Sequence, residues 1–372
     1  MRHLFVTNDF PPKVGGIESY LTNLATGFFA SDVVVVAPAR EGWKKVDEQL
    51  PYEVIRLPGS YLRATRRMYR AIVEAAERFE VDAVHFLAAL PLGRLGPRLR
   101  QATGLPFTVI AHGTGEILLP ARVPFARRAL RKVLSEADVV LPVSEFTEAA
   151  VDHITNGAAE TVVVPPSVDV NRFSLDVSGA DVRSRYGLAA SFVVLFVSRL
   201  VKRKGADILI RALAETDAVA LIAGTGSERA SLERLAREAG VADRVVFAGF
   251  VPDSSLPHFY AAADCFCMPC STRMRGLDTE GFGIVYLEAQ ATGLPCIAGR
   301  CGGSAEAVVQ GETGAVLDEP TPQTVASAIE VLSNDPALCA RLGAAGRVRM
   351  EREFAPEVAA GRIEETLQEI IG

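Results

Sequence analysis

Two glutamates, Glu280 and Glu288, flank a glycine-rich segment with the sequence Glu-Gly-Phe-Gly-Ile-Val-Tyr-Leu-Glu. Apolar residues recur at helical spacing from Ile284, which predicts that a helix begins there. The free N–H groups of Gly283, Ile284 and Val285 would form the positive end of that helix, which suits a phosphate. Carboxylates accept hydrogen bonds and sugar hydroxyls donate them. The segment therefore indicates a site for a nucleotide diphosphate sugar, with one glutamate for the hexose and one for the ribose. The alternative is a solvated helix N-terminus with a capping carboxylate.

A second segment carries cations that suit the same ligand. Arg199 and Lys204 lie in the run Ser-Arg-Leu-Val-Lys-Arg-Lys-Gly at 198–205, just after a predicted strand at 192–197. An arginine can bind a diphosphate through two parallel hydrogen bonds, and a lysine adds a point charge. A basic surface turn is the alternative. It leaves unexplained why a cationic loop stands in the same half of the chain as Glu280.

The first half of the chain offers a histidine and a pair of glycines. His112 follows a predicted strand at 107–111 and precedes a glycine, so it is well placed to reach a ligand. Gly15 and Gly16 follow the first predicted strand and leave the backbone open to a phosphate or sugar, although a plain tight turn is the alternative. They do not fit G-x-G-x-x-G, so dinucleotide binding is not indicated. His85 lies within a predicted strand and is interpreted as a core residue.

Strands and helices alternate along the 372 residues, and the length favours two domains. The sheets should be mostly parallel, with ligands beyond the carboxyl ends of the strands. The predicted strands are 4–7, 33–37, 52–57, 83–86, 107–111, 139–143, one ending near 164, 192–197, 219–223, 245–247, 265–269, 295–298 and 314–317. The predicted helices include 17–29, 62–79, one that begins near each of 206, 227 and 284, and a helical region at 322–372.

Composition and charge exclude several classes of protein. The net charge of −6 argues against nucleic acid as a main partner. No run of 18 apolar residues predicts a membrane-spanning helix, and the N-terminus does not resemble a signal peptide. Cys267 and Cys270 form a C-x-x-C that could hold zinc or do redox chemistry, but the surrounding sequence favours a buried strand with reduced thiols.

Two basic stretches suggest contact with a membrane. The run at 63–70, which contains Arg66 and Arg67, begins one predicted helix, and the run at 122–132, which contains Arg127 and Arg128, begins another, each beside apolar residues. Clustered cations beside hydrophobic residues bind anionic lipid headgroups. Solvated helix faces that pack on the sheet are an equal alternative.

The two glutamates, separated by seven residues, resemble the signature of retaining glycosyltransferases of the two-domain GT-B type, family four, and the resemblance covers essentially the full chain. Within that family, the runs at 7–12, 272–280 and 284–290 look like those of bacterial phosphatidylinositol mannosyltransferases. Those enzymes use GDP-mannose and a mannosylated inositol lipid. The stretch at 58–135 matches less well, which leaves the acceptor the weakest inference.

The resemblance implies an α/β fold with two Rossmann-like, doubly wound domains facing across a cleft. It implies an N-terminal acceptor-binding domain at 1–168, joined by a C-terminal helix at about 354–372, and a nucleotide-sugar-binding domain at 169–353. Pro165 and Pro166 would stiffen the crossing between them. Ser167 departs from the glycine that is usual there.

The resemblance also implies roles for individual residues. His112 would contact the donor sugar near the reacting carbon, and Arg273 and Asp278 become candidates for sugar or acceptor contacts. The expected catalytic residues are His112, Glu280, Arg199 and Lys204. The expected donor-binding residues are Gly15, Gly16, Val251, Asp278, Phe282, Gly283, Ile284, Val285 and Glu288. The expected acceptor or membrane contacts are Arg66, Arg67, Arg127 and Arg128.

The implied reaction is the retaining transfer of a hexose, mannose from GDP-mannose, to a lipid of the phosphatidylinositol mannoside type. No metal and no cofactor are expected, because the cations can neutralise the leaving diphosphate and no Asp-x-Asp stands in a suitable loop. The alternative is a family four hexosyltransferase with another nucleotide sugar or a soluble or polysaccharide acceptor. The expected partners are the donor, a lipid acceptor and an anionic membrane surface. The expected location is the cytoplasm, with peripheral attachment to the inner face of the plasma membrane left open.

Overall fold

The computed structural model describes residues 1–188 and 190–371, apart from the side chains of Thr114 and Arg275. Its strands are β1 His3–Val6, β2 Val33–Pro38, β3 Glu53–Leu57, β4 Ala83–Phe86, β5 Phe107–Ala111, β6 Val139–Pro142, β7 Val193–Val197, β8 Val219–Ala223, β9 Val245–Gly249, β10 Cys265–Met268, β11 Cys296–Gly299 and β12 Gly314–Leu317.

The helices connect these strands and close the chain. They are α1 Gly16–Thr26, α2 Trp43–Asp47, α3 Arg66–Arg78, α4 Gly96–Thr103, α5 Pro124–Glu136, α6 Glu145–Thr155, α7 Ala180–Tyr186, α8 Ala206–Ala212, α9 Arg229–Glu238, α10 Leu256–Ala261, α11 Ile284–Ala291, α12 Ser304–Ala307, α13 Pro322–Asn334, α14 Pro336–Glu353 and α15 Pro356–Ile371.

The strands form two parallel sheets with the same topology. The orders are β3-β2-β1-β4-β5-β6 and β12-β11-β10-β7-β8-β9. Most strands are buried along their whole length, which explains their near-continuous apolar sequences. In each sheet the strand order reverses once, between β1 and β4 and between β7 and β10. Ligands of open α/β sheets bind at such a reversal, beyond the carboxyl ends of the strands.

The chain folds as two compact units. The first comprises Met1–Ser167 and the segment from Pro356, and the second comprises Val168–Ala355. Within the first unit α15 packs against α1 so closely that a Cβ on Gly27 would lie 2.1 Å from the carbonyl oxygen of Pro356. Gly372, the last residue of the expected terminal helix, lies outside the described residues. The acceptor-binding and donor-binding roles expected of the two halves stay predictions.

A chain of buried polar groups crosses the first sheet. The His85 side chain is fully buried, and its Nδ1 lies 2.8 Å from Thr108 Oγ1. Its Nε2 lies 3.0 Å from His3 Nδ1, and His3 Nε2 lies 3.4 Å from Glu364 Oε1 on α15. The interpretation of His85 as a satisfied core residue is confirmed. No sequence pattern indicated that His3 would join this chain of buried polar groups.

Two expected boundaries were wrong for local reasons. Helix α3 begins at Arg66 and not at 62, because Asn8 holds the backbone of Leu62 from both sides with hydrogen bonds of 2.6 and 3.0 Å. Thr65 then caps the helix by accepting a hydrogen bond from the N–H of Met68 at 3.2 Å.

The expected strand that ends near 164 is not a regular strand. Thr161 makes a single parallel bridge to Val140, and the N–H of Val164 donates to the carbonyl of Pro142 at 2.9 Å. Pro165 and Pro166 follow at once and lack N–H groups, so this edge cannot continue the ladder.

The close approach of α14 to the end of α11 gives a test of the packing in the second unit. A Cβ on Gly343 would lie 1.9 Å from the carbonyl oxygen of Gly293. Gly343→Ala should therefore force the two segments apart and lower the free energy of unfolding by about 1–3 kcal/mol. Urea unfolding followed by circular dichroism measures the change.

The matched control is Gly361→Ala on α15, where an added Cβ meets nothing within 4 Å. That substitution should be neutral or stabilising by up to about 1 kcal/mol, because alanine favours the helix over glycine. Equal unfolding midpoints for the two variants would contradict the packing described.

Candidate functional site

The loops that follow β7 and β10 carry opposite charges and meet at the reversal of the second sheet. Lys204 Nζ lies 2.7 Å from Glu280 Oε2, and Arg203 forms an ion pair with the same carboxylate. Arg203 Nε also lies 2.7 Å from Asp278 Oδ1. The side chains of Lys204, Arg203 and Glu280 are only 11%, 12% and 13% exposed, so two cations and two carboxylates form one partly buried network.

The network keeps Glu280 ionised. Burial alone would raise the pKa of its carboxyl, but the Lys204 ammonium and the Arg203 guanidinium outweigh burial and hold that pKa below its ordinary value. The pKa of Arg203 is raised, because its two carboxylate partners outweigh the opposing effect of burial. Removing one member of such a network leaves the others as uncompensated charges.

Arg203 also fixes the shape of the acidic loop. The backbones of Arg273 and Asp278 exchange hydrogen bonds of 2.9 and 3.1 Å, which closes a short hairpin turn. Met274 and Gly276 in that turn have positive φ values of 51° and 89°. Because Arg203 binds Asp278 at the end of the turn and Glu280 just beyond it, one side chain orders the whole segment. Sequence reasoning missed Arg203, although it stands beside Lys204 in the basic run.

The helix N-terminus expected beside Glu280 is present. Gly283 precedes α11 with a φ of 100°, and a Cβ there would lie 2.7 Å from the ring of Tyr286. Glycine is required at this position on both counts. The next two residues, Ile284 and Val285, are half-buried and open the first turn. Phe282 is only 3% exposed and its ring packs on Phe354, so its backbone alone is available to a ligand.

Glu288 lies one turn inside α11 in a different environment. It is 8% exposed, and its Oε2 accepts a hydrogen bond of 2.6 Å from the hydroxyl of Tyr260. Burial raises the pKa of Glu288 to about 7, against the opposing effect of the Tyr260 hydrogen bond. The two glutamates of the motif therefore differ: Glu280 is held ionised and Glu288 titrates near neutrality.

Two further expected donor contacts lie at the same edge of the second sheet. Arg199 follows β7, is exposed, and makes no ion pair with the described residues. Its guanidinium is therefore free to bind an anion. Val251 is half-buried in the turn after β9, next to Phe250, whose ring is 61% exposed.

The first unit brings together buried polar atoms that have no partner. His112 follows β5, and its ring meets Tyr20 edge-on with centroids 5.0 Å apart. His112 Nε2, the Tyr20 hydroxyl and Glu116 Oε2 are all buried and make no hydrogen bond to the described residues. Unsatisfied buried polar atoms are rare in native proteins and call for an explanation. A ligand with hydroxyl groups would satisfy them.

These groups are neutral at physiological pH. Burial lowers the pKa of His112 to about 4, so its imidazole is uncharged. Burial, with the nearby charge of Asp9, raises the pKa of Glu116 to about 8, so its carboxyl carries a proton. Glu116 lines a cavity of about 200 Å³ together with Asp9 and Tyr61, at the reversal of the first sheet. No sequence pattern pointed to Glu116, which lies in a π-helical turn at Thr114–Leu118.

The two glycines at the start of α1 have unequal surroundings. Gly15 is the residue before the helix, and a Cβ there would lie 2.5 Å from Glu18 Oε2, whereas Gly16 has open space around it. Lys13 forms ion pairs with both Asp9 and Glu18, and these ion pairs link the loop after β1 to the first turn of α1.

The expected acceptor or membrane residues lie on exposed helix surface. Arg66 and Arg67 on α3 and Arg127 and Arg128 on α5 are all exposed. Phe125, next to the last pair, is 76% exposed. The structure brings each pair to the surface but does not bring any of the four to the cluster around His112.

The cysteines of the C-x-x-C lie in the core. Cys267 and Cys270 are fully buried, and burial raises the pKa of the Cys267 thiol. Within the described part of the chain, His, Cys, Asp and Glu side chains form no group of three that could hold a metal ion. The absence of a metal from the reaction stays a prediction. Among residues 1–188 and 190–371, no helix has both the length and the apolar character needed to span a bilayer.

Sequence comparison identifies the family. The pattern described as Glycosyltransferase Family 4 matches residues 14–172, and that described as Glycosyl transferases group 1 matches residues 183–349. A GDP-mannose-dependent alpha-(1-6)-phosphatidylinositol monomannoside mannosyltransferase of Mycolicibacterium smegmatis is 41% identical over 360 residues, with 92% of each chain covered. The chain is a family 4 glycosyltransferase. The resemblance seen in the sequence is thereby confirmed.

A second relative agrees with this family, and two solved structures share the fold. A GDP-mannose-dependent monoacylated alpha-(1-6)-phosphatidylinositol monomannoside mannosyltransferase of Corynebacterium glutamicum is 37% identical, with 98% of this chain and 97% of the relative covered. HepE of Anabaena, solved with UDP, has a TM-score of 0.84 at 24% identity, with 99% and 100% of the two chains covered. Sucrose-phosphate synthase of Thermosynechococcus elongatus has a TM-score of 0.79 at 23% identity, with 100% and 99% covered. The glycosyltransferase therefore has the expected GT-B fold.

The Arg203 network makes a prediction about the pH dependence of the glycosyltransferase. Arg203→Met removes one of the two cations that stabilise the Glu280 carboxylate, so the pKa of Glu280 should rise. Glu280 would then become protonated at a higher pH, and the acid limb of kcat/KM should move upward in pH. Arg203→Lys keeps the positive charge, so its acid limb should lie close to that of the unaltered enzyme.

Arg300→Met is the matched control, because its ion pair with Asp318 is exposed and lies outside the network. Its pH profile should equal that of the unaltered enzyme. An acid limb that is the same in the Arg203 and Arg300 variants would rule out control of Glu280 by Arg203.

The hydrogen bond between Tyr260 and Glu288 makes a second prediction. Tyr260→Phe removes the only donor that this ring offers to the carboxylate, so the pKa of Glu288 should rise above about 7. Carbon-13 NMR of labelled glutamate carboxyls measures this value directly.

Tyr186→Phe is the control, since its ring packs beside Phe259 in the same unit and has no bond to Glu288. A Glu288 titration unchanged by Tyr260→Phe would show that the hydrogen bond does not stabilise the carboxylate.

Proposed function

We propose that this glycosyltransferase transfers mannose from GDP-mannose to a lipid of the phosphatidylinositol monomannoside type, with retention of the anomeric configuration and without a metal ion. Two nearly full-length relatives that bear this activity in their names, at 41% and 37% identity, support the donor and the acceptor. The single structural observation that carries the proposal is the network of Lys204, Arg203, Glu280 and Asp278 at the reversal of the second sheet.

The donor binds through groups of different charge. Arg199 and Lys204, with the N-terminus of α11 at Gly283, Ile284 and Val285, bind the diphosphate. Glu280 accepts hydrogen bonds from the hexose hydroxyls, because the network keeps it ionised.

The remaining donor contacts hold the nucleoside and the far side of the sugar. Glu288 accepts from the ribose, and Val251 lies beside the base. Asp278 and the backbone of Phe282 complete the edge of the donor site, and Gly15 and Gly16 belong to the proposed donor contacts.

The cations also supply the chemistry of the leaving group. Negative charge develops on the diphosphate as the bond to the sugar breaks, and preorganised cations stabilise that charge without a metal ion. Each such interaction contributes on the order of 10²–10³ in rate. The proton of the acceptor hydroxyl passes to the departing phosphate oxygen on the same face of the sugar.

The first unit supplies neutral groups for sugar hydroxyls. His112 is uncharged. Its Nε2 therefore forms a hydrogen bond with the transferred sugar near the reacting carbon and adds no positive charge there. The acceptor-binding role of residues 1–168 with the terminal helix, and the donor-binding role of residues 169–353, belong to the same proposal.

Access to a lipid acceptor requires contact with the bilayer surface. The exposed Arg66 and Arg67 on α3 suit anionic headgroups, as do Arg127 and Arg128 on α5 beside the exposed Phe125. Peripheral binding to the cytoplasmic face of the plasma membrane fits this surface.

A transfer assay with purified full-length protein tests the proposal. Radiolabelled GDP-mannose, GDP-glucose, UDP-glucose and UDP-galactose are each offered with phosphatidylinositol monomannoside in detergent. Of the four donors, only GDP-mannose should support sugar transfer. A chelator should leave the rate of that transfer unchanged. Glu280→Gln should lower the rate on the order of 10²–10³.

The exposed Glu312 provides the control, and Glu312→Gln should keep the normal rate. Preferred transfer from another donor would overturn the proposed sugar. Inhibition by chelator that Mg²⁺ reverses would overturn the metal-independent mechanism. A normal rate for Glu280→Gln would remove that glutamate from the site.

A further inference from the structure

A small cavity lies at the edge of the first sheet where the strand order reverses. It has a volume of about 200 Å³ and is lined by residues of the loops that follow β1, β4 and β5. This volume is below the roughly 300–1,000 Å³ that is typical of sites for drug-sized ligands. The cavity therefore has room for a single six-membered ring.

One wall of the cavity is apolar, and the lining carries no positive charge. The apolar wall consists of Ala88, Leu90, Pro91, Leu92 and Pro120. The C–H face of a cyclic polyol packs well on such a wall, while its hydroxyls turn to the polar side. No lysine, arginine or histidine is among the described residues that line the cavity. A phosphate group would find no counter-charge there.

Two polar side chains of the lining are already used within the protein. The side-chain amide of Asn8 accepts from the N–H of Leu62 at 2.6 Å and donates to the carbonyl of Leu62 at 3.0 Å. Thr7 Oγ1 accepts from the N–H of Asp9 at 2.8 Å and donates to the carbonyl of Asp9 at 3.2 Å. The polar side chains that remain for a ligand are those of Asp9, Tyr61 and Glu116.

The carboxyl of Glu116 is oriented by the protein but only half satisfied. The backbone N–H of His112 donates a hydrogen bond to this carboxyl. The second oxygen, Oε2, is buried and has no hydrogen-bond partner among the described residues. Burial and the nearby charge of Asp9 raise the pKa of Glu116 to about 8, so the carboxyl is protonated at pH 7. It therefore has an O–H group that can donate to a ligand in the cavity.

The charged groups around Glu116 leave the cavity slightly acidic. They are Asp9, Glu18 and Lys13, and Lys13 forms ion pairs with both of the acids. His112 is the other titratable neighbour, and burial keeps it uncharged. Of these groups, only Asp9 lines the cavity together with Glu116. The cavity thus presents one carboxylate that accepts hydrogen bonds and one protonated carboxyl that donates.

We propose that Glu116 makes this cavity selective for an uncharged six-membered polyol ring of the acceptor. The carboxyl of Glu116 donates a hydrogen bond to one ring hydroxyl, and Asp9 accepts a hydrogen bond from another. A ring that carries its own phosphate is excluded, because the lining offers Asp9 and no cation. The phosphodiester of an inositol lipid stays outside the cavity. The inference rests on the proposed function only for the nature of the acceptor.

Equilibrium binding to the full-length protein tests this selectivity without a donor and without sugar transfer. A failure of the inference is therefore distinct from a failure of the transfer assay. The probes are glycerophosphoinositol and glycerophosphoinositol 4-phosphate, measured at pH 7 by isothermal titration calorimetry. The 4-phosphate should bind at least about tenfold more weakly, because its ring phosphate meets Asp9. Equal or tighter binding of the 4-phosphate would overturn the proposed selectivity.

Substitutions of Glu116 test whether this residue supplies the hydrogen bond. Glu116→Met keeps the volume but has no donor, so binding of glycerophosphoinositol should weaken on the order of 10-fold. Glu116→Gln keeps a neutral donor and should bind nearly as well as the unaltered protein. Glu77→Gln, on the exposed surface of α3, is the control and should bind normally. Normal binding by a Glu116→Met protein that circular dichroism shows to be folded would overturn the role of Glu116.

The pH dependence of binding tests whether Glu116 acts in its protonated form. A bound ring displaces water from the cavity, which further disfavours the charged carboxylate. The ring therefore binds best below the pKa of about 8, and the affinity of the unaltered protein should fall about tenfold between pH 7 and pH 9. Glu116→Gln does not titrate there and should keep its affinity. The same loss of affinity in both proteins would contradict the proposal.

Discussion

The ion network between the loops after β7 and β10 is the constraint on which the site in the second unit depends. Arg203 and Glu280 are 77 residues apart in the chain, and they meet because the strand order of the second sheet reverses between β7 and β10. The charges of this network are mostly shielded from water, so they must be paired. Their pairing holds the two loops in place against each other. The acidic loop keeps its shape, and Glu280 keeps its charge, only while the basic loop stays beside it.

The two units repeat one topology but offer opposite chemistry at the reversal of strand order. The second unit offers full charges, which suit a diphosphate and the hydroxyls of a charged donor. The first unit offers His112 and Glu116, which burial has made neutral, and the hydroxyl of Tyr20, with the charge of Asp9 nearby. Neutral donors and acceptors suit sugar hydroxyls and disfavour a second anion. Under the proposed function, the same fold would separate recognition of an anion from recognition of a polyol by differences in burial and pairing.

The sequence predicted the elements and the charged loops because these depend on local patterns. Apolar runs bounded by glycine and proline predicted every strand of both sheets within a few residues, and the motif at Glu280 and Glu288 identified the family. Pairing between distant side chains has no local signal. Arg203 was therefore missed although its neighbour Lys204 was found, and the different pKa values of Glu280 and Glu288 could not be foreseen from their identical side chains. The start of α3 was misjudged for the same reason, since it depends on a contact between Asn8 and Leu62.

A crystal structure of the full-length protein with intact GDP-mannose is the most direct test of the central claim. We expect the diphosphate within hydrogen-bond distance of Arg199, Lys204 and the N–H groups at the start of α11. The mannose hydroxyls should contact Glu280 while Arg203 still binds Asp278. A diphosphate bound away from Arg199 and Lys204, or a mannose that makes no contact with Glu280, would contradict it.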